Sequence, residues 1–332
     1  MMYRVVDCKT PLELKDVRAL LTRFGLSFES QVDHTIGLYD GRHMIATGSV
    51  DHNVIKMIAV DEQYQGENLT ADILSRLINH LAHKGITKHF LFTTPASKPF
   101  FTGFPYQLVF ETDTIVLFEN NMDVITDQLT GLAQALPPFT GRTGALVMNC
   151  NPVTNGHLHL IETCARASDR VLLFLVETDA SLVPYPIRFD LVKEATSHLP
   201  NVYLLPSTPY IISRSTFPTY FLKELSDASL AYMQLDIGIF DHYFMPLFKI
   251  DKRYVADEPH DPMTHAYNQT MQTILKDRLV MIPRLETGGQ AISASWVRML
   301  AKNRQYDVLK PLVPDATYRF LISKEGRSIF DA

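Results

Sequence analysis

The sequence predicts an α/β chain: a doubly wound parallel sheet in the C-terminal part, preceded by a smaller α+β domain. Three observations carry this. From residue 144 onward, near-continuous apolar strands alternate with amphipathic helices in GALVMNC, HLHLIETCARAS, RVLLFLVE, PIRFDLVKEATSHL and NVYLLPS. That is the pattern of a parallel sheet covered on both faces. Earlier in the chain the strands are short, and Asp40-Gly41 inside HTIGLYDGRHMIATGSV marks a hairpin. Between the two patterns, PPFTGRTG interrupts a helical stretch with Pro and Gly. The expected boundaries are 1–118 for the first domain, 119–143 for a connecting segment and 144–332 for the second domain.

The elements of the first domain follow in order. PLELKDVRALLTRFG reads as a helix and NVIKMIAV as a strand. In DEQYQGENLTADILSRLINHLAHKG, Leu69, Ile73, Leu77 and Leu81 recur every four residues, and Gly85 stands where a helix C-cap belongs. HFLFTT and YQLVFETDTIVLFEN read as strands, and NNMDVITDQLTGLAQAL as the helix of the connecting segment.

Composition narrows the function. With a net charge of -5 and no Lys/Arg-rich block, neither nucleic acid nor an anionic membrane is expected as the main partner. No apolar run approaches the roughly 20 residues that span a bilayer. The start, MMYRVVDCKTPLEL, lacks a secretory core. Cys8, Cys150 and Cys164 show no CxxC spacing and suit a reducing compartment. A cytoplasmic protein is expected.

The loop NPVTNGH, residues 151–157, carries more polar atoms than a strand-to-helix turn requires. In a doubly wound sheet, ligands sit at the carboxyl ends of the strands. There the free amides of a first helical turn favour an anion. Gly156 lets backbone and phosphate approach, His157 aims a ring N–H at the same point, and Thr154 adds a hydroxyl. His159, about 200° further round the helix, is expected to point elsewhere. The same residues also fit an ordinary capped turn around an interior histidine. RLETGGQAISASWVRMLAKN supplies a second cradle. Ser293 or Ser295 caps a helix, and Arg298 lies one turn in, able to grip the same anion with its planar fork. Two cradles in one domain suit a triphosphate held at two places.

TNGH resembles the HxGH signature of the nucleotidylyl transferase superfamily in a variant whose first His is Thr154. ISASWVR resembles its second signature, ISSTxxR. Within that superfamily MNCNPVTNGH, YIISRSTFPTYFLKE, THAYNQTM and GGQAISAS resemble the citrate lyase ligase family, over nearly the whole chain. The first domain resembles a GNAT acetyltransferase fold, with Gln63, Gly66 and Asn68 of VDEQYQGEN standing at the family's pyrophosphate loop. Asn68 replaces a glycine there, and Asn tolerates left-handed backbone angles. The superfamily's Asp before the loop proline is Asn151 here, ahead of Pro152.

The resemblance implies ATP, Mg²⁺ and acetate as reactants. It also implies acetylation of the thiol of a dephospho-CoA-derived prosthetic group on the acyl carrier subunit of citrate lyase. It implies that His157, Thr154 and Gly156, with Asn151 and Pro152 shaping the loop, hold the α-phosphate, and that Ser293, Ser295 and Arg298 take the leaving pyrophosphate. The magnesium ligands are not named by any carboxylate cluster. Arg188, able to meet a phosphate or acetate, and Ser213 and Arg214 on the acid side are substrate candidates, and each also has a plain structural reading. Cys150 reads as packing. Two other readings stand beside this one: an adenylyltransferase acting on phosphopantetheine, and a non-catalytic carrier-binding or acetyl-CoA-sensing protein.

Overall fold

Thr10 opens the first helix with a capping box, its hydroxyl accepting the Glu13 amide while the Glu13 carboxylate returns to the Thr10 amide. Local signals of this kind set most elements of the computed structural model, which describes residues 3–177, 181–213, 227–258 and 261–331. The described chain divides into two compact units, 1–128 and 129–332.

The first unit runs β1 (Arg4–Asp7), α1 (Pro11–Arg23), β2 (His34–Asp40), β3 (His43–Asp51), β4 (Val54–Val60), α2 (Leu69–His83), β5 (Phe90–Thr93), β6 (Tyr106–Glu111) and β7 (Val116–Asn120). Its seven-stranded sheet has the order β1-β2-β3-β4-β5-β7-β6, and only β4 and β5 are parallel. β7 continues to Asn120, two residues beyond the expected boundary at 118. The Asp40-Gly41 hairpin joins β2 to β3, with Gly41 at φ +59°. Leu69, Ile73, Leu77 and Leu81 are all buried under α2. α1 buries Val17, Leu20 and Leu21 in a separate cluster with Met44 and Met57.

β4 and β5 pair only at Val54–Phe90 and Ile55–Leu91. A bulge beyond that point puts Met57 at φ +56° and bends β4 away. The strands part, and a cavity of about 360 Å³ opens between Ile58–Val60 on one side and Thr94 and Ser97 on the other. Phe24, Phe100, Phe101 and Phe104 give it an aromatic wall.

After α3 (Ile125–Gln134), the second unit continues with β8 (Thr143–Met148), α4 (Asn155–Ala167), β9 (Arg170–Leu175), α5 (Tyr185–Ala195) and β10 (Val202–Pro206). α6 (Asp227–Ile239) passes through a π turn at Phe240–Phe244 into α7 (Met245–Leu247). β11 (Lys252–Ala256), α8 (Pro262–Leu275) and β12 (Leu279–Ile282) complete the sheet. A glycine hairpin of β13 (Glu286–Thr287) and β14 (Gln290–Ala291) leads to α9 (Ala294–Lys302), followed by α10 (Tyr306–Leu309), α11 (Asp315–Ile322) and α12 (Lys324–Asp331).

All five strands are parallel in the order β10-β9-β8-β11-β12. Every residue of β9 is buried, as its unbroken apolar run requires. Strand order reverses between β8 and β11, and these two pair only at Gly144–Lys252 and Ala145–Arg253. Past that point they separate, and the crevice at their carboxyl ends holds the candidate site. Among the described residues, no helix is long and apolar enough to cross a membrane. Cys8, Cys150 and Cys164 are free and buried.

Candidate active site

The crevice has a volume of about 240 Å³ and runs from the start of α4 across the ends of β8 and β11 to α8. Thr154 is the N-cap of α4, and its hydroxyl accepts the His157 amide. His157 Nδ1 accepts the Thr154 amide at 3.1 Å and lies 2.9 Å from the Thr154 hydroxyl. This is a capping box in which histidine does the work usually done by glutamate. With Nδ1 an acceptor, the ring proton sits on Nε2. Burial, then the positive fields of Arg284 and Arg298, lowers the His157 pKa to about 4. The ring is therefore neutral near pH 7 and offers a hydrogen bond without a charge. Thr154, expected as a phosphate donor, lines the crevice and also uses its hydroxyl to fix His157.

Gly156 lines the crevice and also has a close neighbour that the sequence did not predict. A Cβ there would stand 2.7 Å from the Ile292 carbonyl oxygen, so its missing side chain lets the two cradles touch backbone to backbone. Ser293 caps α9 by accepting the Trp296 amide at 3.1 Å and lines the crevice. Arg298 donates through Nη1 to the Asn151 carbonyl at 2.6 Å and through Nη2 to the Ser295 hydroxyl at 3.0 Å. Motifs 140 residues apart in sequence thus close on one another. Ser295 itself is exposed. Asn151 turns its side-chain oxygen to the Val183 amide at 3.0 Å, and Pro152 follows it in a cis peptide.

Other expectations change. His159 lines the same crevice as His157. The two stand on either side of Gly156, about 60° and 100° away around the helix, so a crevice centred on Gly156 reaches both. Arg188, expected on the substrate side, does not line the crevice: it is fully buried and donates to the carbonyls of Val183, Asn149 and Val176. Those bonds pin the ends of β8 and β9 behind the loop. Ser213 is buried, with its hydroxyl on the Pro209 carbonyl. Arg214 lies outside the described residues. Burial pushes the Cys150 thiol up to about 12, which suits packing. In the first unit, Gly66 and Asn68 line the aromatic cavity, with φ of +94° and +57°, whereas Gln63 is exposed and does not line it.

Sequence reasoning missed Arg253, Arg284, Asp257 and Glu258, all in the crevice. Glu258 is ion-paired to Arg284. For all but Arg284 the signal was present in KRYVADE, a strand with charge at its start and two acidic residues just past its end. Among the described residues, the one group of three side chains close enough to hold a metal is Asp33, Asp51 and His52, in the first unit. At the crevice, Asp257 and Glu258 offer one or two carboxylates, which fits a Mg²⁺ that keeps most of its coordination to phosphates and water.

Two helix starts, Arg253, Arg284 and a neutral histidine around a crevice at a strand-order switch make a site whose chemistry suits an anionic, phosphate-bearing reactant. A family model described as the citrate lyase ligase C-terminal domain matches residues 143–321. The chain is 35% identical to the citrate (pro-3S)-lyase ligase of Klebsiella pneumoniae, over 97% of this chain and 96% of that one. It is 33% identical to the ligase of the same name from Escherichia coli K12, over 93% and 90%. The chain belongs to the citrate lyase ligase family and is a ligase. Among solved structures, the ribosomal-protein-S18-alanine N-acetyltransferase of Escherichia coli is similar at 16% identity, covering 36% of this chain and 93% of that one, with a TM-score of 0.30.

Proposed function

We propose that this ligase activates citrate lyase by joining acetate to the prosthetic-group thiol of its acyl carrier subunit at the expense of ATP. An acetate oxygen attacks the α-phosphorus, the bond to the bridging oxygen breaks, and pyrophosphate leaves. The thiol, losing its proton, then attacks the acetyl-adenylate and releases AMP. The observation that carries this reading is the Arg298–Asn151 bond, which brings both helix starts to one crevice.

The geometry supports the following roles. The first amides of α4, beside Gly156, and His157 Nε2–H address the α-phosphate. Ser293 and the start of α9, with Arg298 and Arg284, take the charge that builds on the leaving pyrophosphate. Ser295 steadies Arg298. Magnesium would neutralise phosphate charge, with Asp257 as the protein's contribution. In-line displacement at phosphorus needs positioning more than proton transfer, and a neutral His157 suits that demand.

The aromatic cavity of the first unit would dock the CoA-like arm of the carrier, with Gly66 and Asn68 at its mouth. Ala71 lines this cavity, so Ala71→Trp should slow acetylation of the carrier thiol and spare adenylate formation. Equal loss of both would sink the docking role. We place the enzyme in the cytoplasm, where three free cysteines suit a reducing medium.

ATP–pyrophosphate exchange with Mg²⁺ tests the central step. Acetate-dependent exchange is expected. Exchange only with phosphopantetheine would make the chain an adenylyltransferase. Silence with both, with the carrier subunit present, would leave a binding protein.

A further inference from the structure

Arg253 is 1% exposed, yet it lines the crevice. It stands on β11 next to Tyr254, which packs in the cluster under α4. Because side chains alternate along a strand, Arg253 turns to the other face, against the rings of Phe240 at 4.3 Å and Tyr267 at 5.8 Å. Nη2 donates to the Tyr267 hydroxyl at 3.2 Å. Nε and Nη1 meet no hydrogen-bond partner among the described residues. A buried guanidinium with open donors is costly unless a ligand supplies the acceptors.

The surroundings say which ligand. The Tyr267 hydroxyl donates onward to Asp236 at 2.6 Å, and the other Asp236 oxygen takes the Ile212 amide at 2.6 Å. Arg253 thus shares a hydroxyl with the buried carboxylate and does not clasp it. Nη2 keeps a second N–H, which lies parallel to one on Nε or on Nη1. Such a fork matches a planar group with two oxygens. Ile212 and Met271 line the same crevice and offer an apolar wall for a short carbon chain. The phosphate-directed groups are gathered elsewhere, at the starts of α4 and α9 and at Arg284 past the end of β12.

We propose that Arg253 binds the carboxylate of the small acid substrate, oriented by the Tyr267 hydroxyl. The assignment rests on the acid-adenylating reading above. The fork engages one lone pair on each carboxylate oxygen. A second lone pair stays free on the oxygen that attacks phosphorus.

The test uses the full-length enzyme and ATP–pyrophosphate exchange, titrating acetate and ATP separately in Arg253→Gln. The KM for acetate should rise about 100-fold or more, as when a buried charge partner is truncated, with the KM for ATP nearly unchanged. Millimolar guanidinium should restore part of the acetate affinity to Arg253→Ala and leave the wild type unaffected. If these variants do not fold, Tyr267→Phe decides. It keeps the ring and loses the hydroxyl, so a rise in acetate KM of about 10-fold is expected. An unchanged acetate KM in a folded variant overturns the assignment, as does a rise confined to the KM for ATP, which would put a phosphate on the fork. Wild-type enzyme without acetate-dependent exchange overturns the functional reading itself, and this assignment with it.

Discussion

The two cavities of this molecule are made by one device and finished in opposite ways. In each unit a pair of parallel strands is zipped by two residue pairs and then parts, β4 from β5 and β8 from β11. The first cavity is walled by four phenylalanines, the second by arginines, two histidines and carboxylates. Their nearby buried cations differ as well. Lys56, 3% exposed, is closed by Asp51 at 2.8 Å and Glu29 at 2.7 Å. Arg253, equally buried, is answered by a phenol. A cation that closes on its own carboxylates serves the fold. One held at a crevice with donors to spare serves a reactant.

The comparison breaks first at His157. His157→Ala should lower exchange by about 10²–10³-fold, the loss seen when one transition-state donor is removed. A loss below tenfold in a folded variant would leave the second crevice without its proposed chemistry. Next is Lys56→Met, which strands the Asp51 charge with only His52 beside it. Urea denaturation should show a loss of about 3 kcal/mol, with exchange per folded molecule intact. A loss of exchange would contradict the division between structural and reactive cations.

Gly156→Ala should cost about 1–3 kcal/mol, because the new methyl meets a backbone oxygen that cannot swing aside. It should also raise the KM for ATP by parting the two cradles. The smallest effect concerns pH. His157 has a folded-state pKa near 4 against an ordinary 6.5. Between those values the unfolded chain binds the proton and the folded chain does not. Stability therefore falls as pH drops from 6.5 towards 4 and levels off below. Comparing wild type with His157→Asn by urea titration at each pH should show a difference of about 1–2 kcal/mol, reduced by the ring's partial exposure. A flat difference would mean that the ring is solvated.

Much of this was legible in the sequence. Period-four apolar residues marked α2, an Asp-Gly pair marked the first hairpin, and TNGH and ISASWVR marked the two helix starts that meet at the crevice. The requirement at residue 68 was legible too: φ there is +57°, which Asn tolerates. What escaped depends on direction and not on residue type. Arg188 sits in a first helical turn, where arginine usually meets solvent, and nothing local reveals that it faces the carbonyls of two strand ends. Arg253 was hidden for a related reason. Its meaning comes from Phe240 and Tyr267, residues from separate helices that only the packing of α6 and α8 brings beside β11. Gly156 also meets a need that the sequence did not reveal, since its neighbour is a carbonyl from a segment far along the chain.

That last contact sets how the crevice moves. Where Gly156 meets Ile292, one main chain rests on another, with no rotatable group between them to absorb a shift. The starts of α4 and α9 therefore behave as a single jaw. In the proposed reaction a nucleotide that tilted one would carry the other with it, so the grip on the phosphate that stays and the grip on the phosphates that leave would be adjusted together.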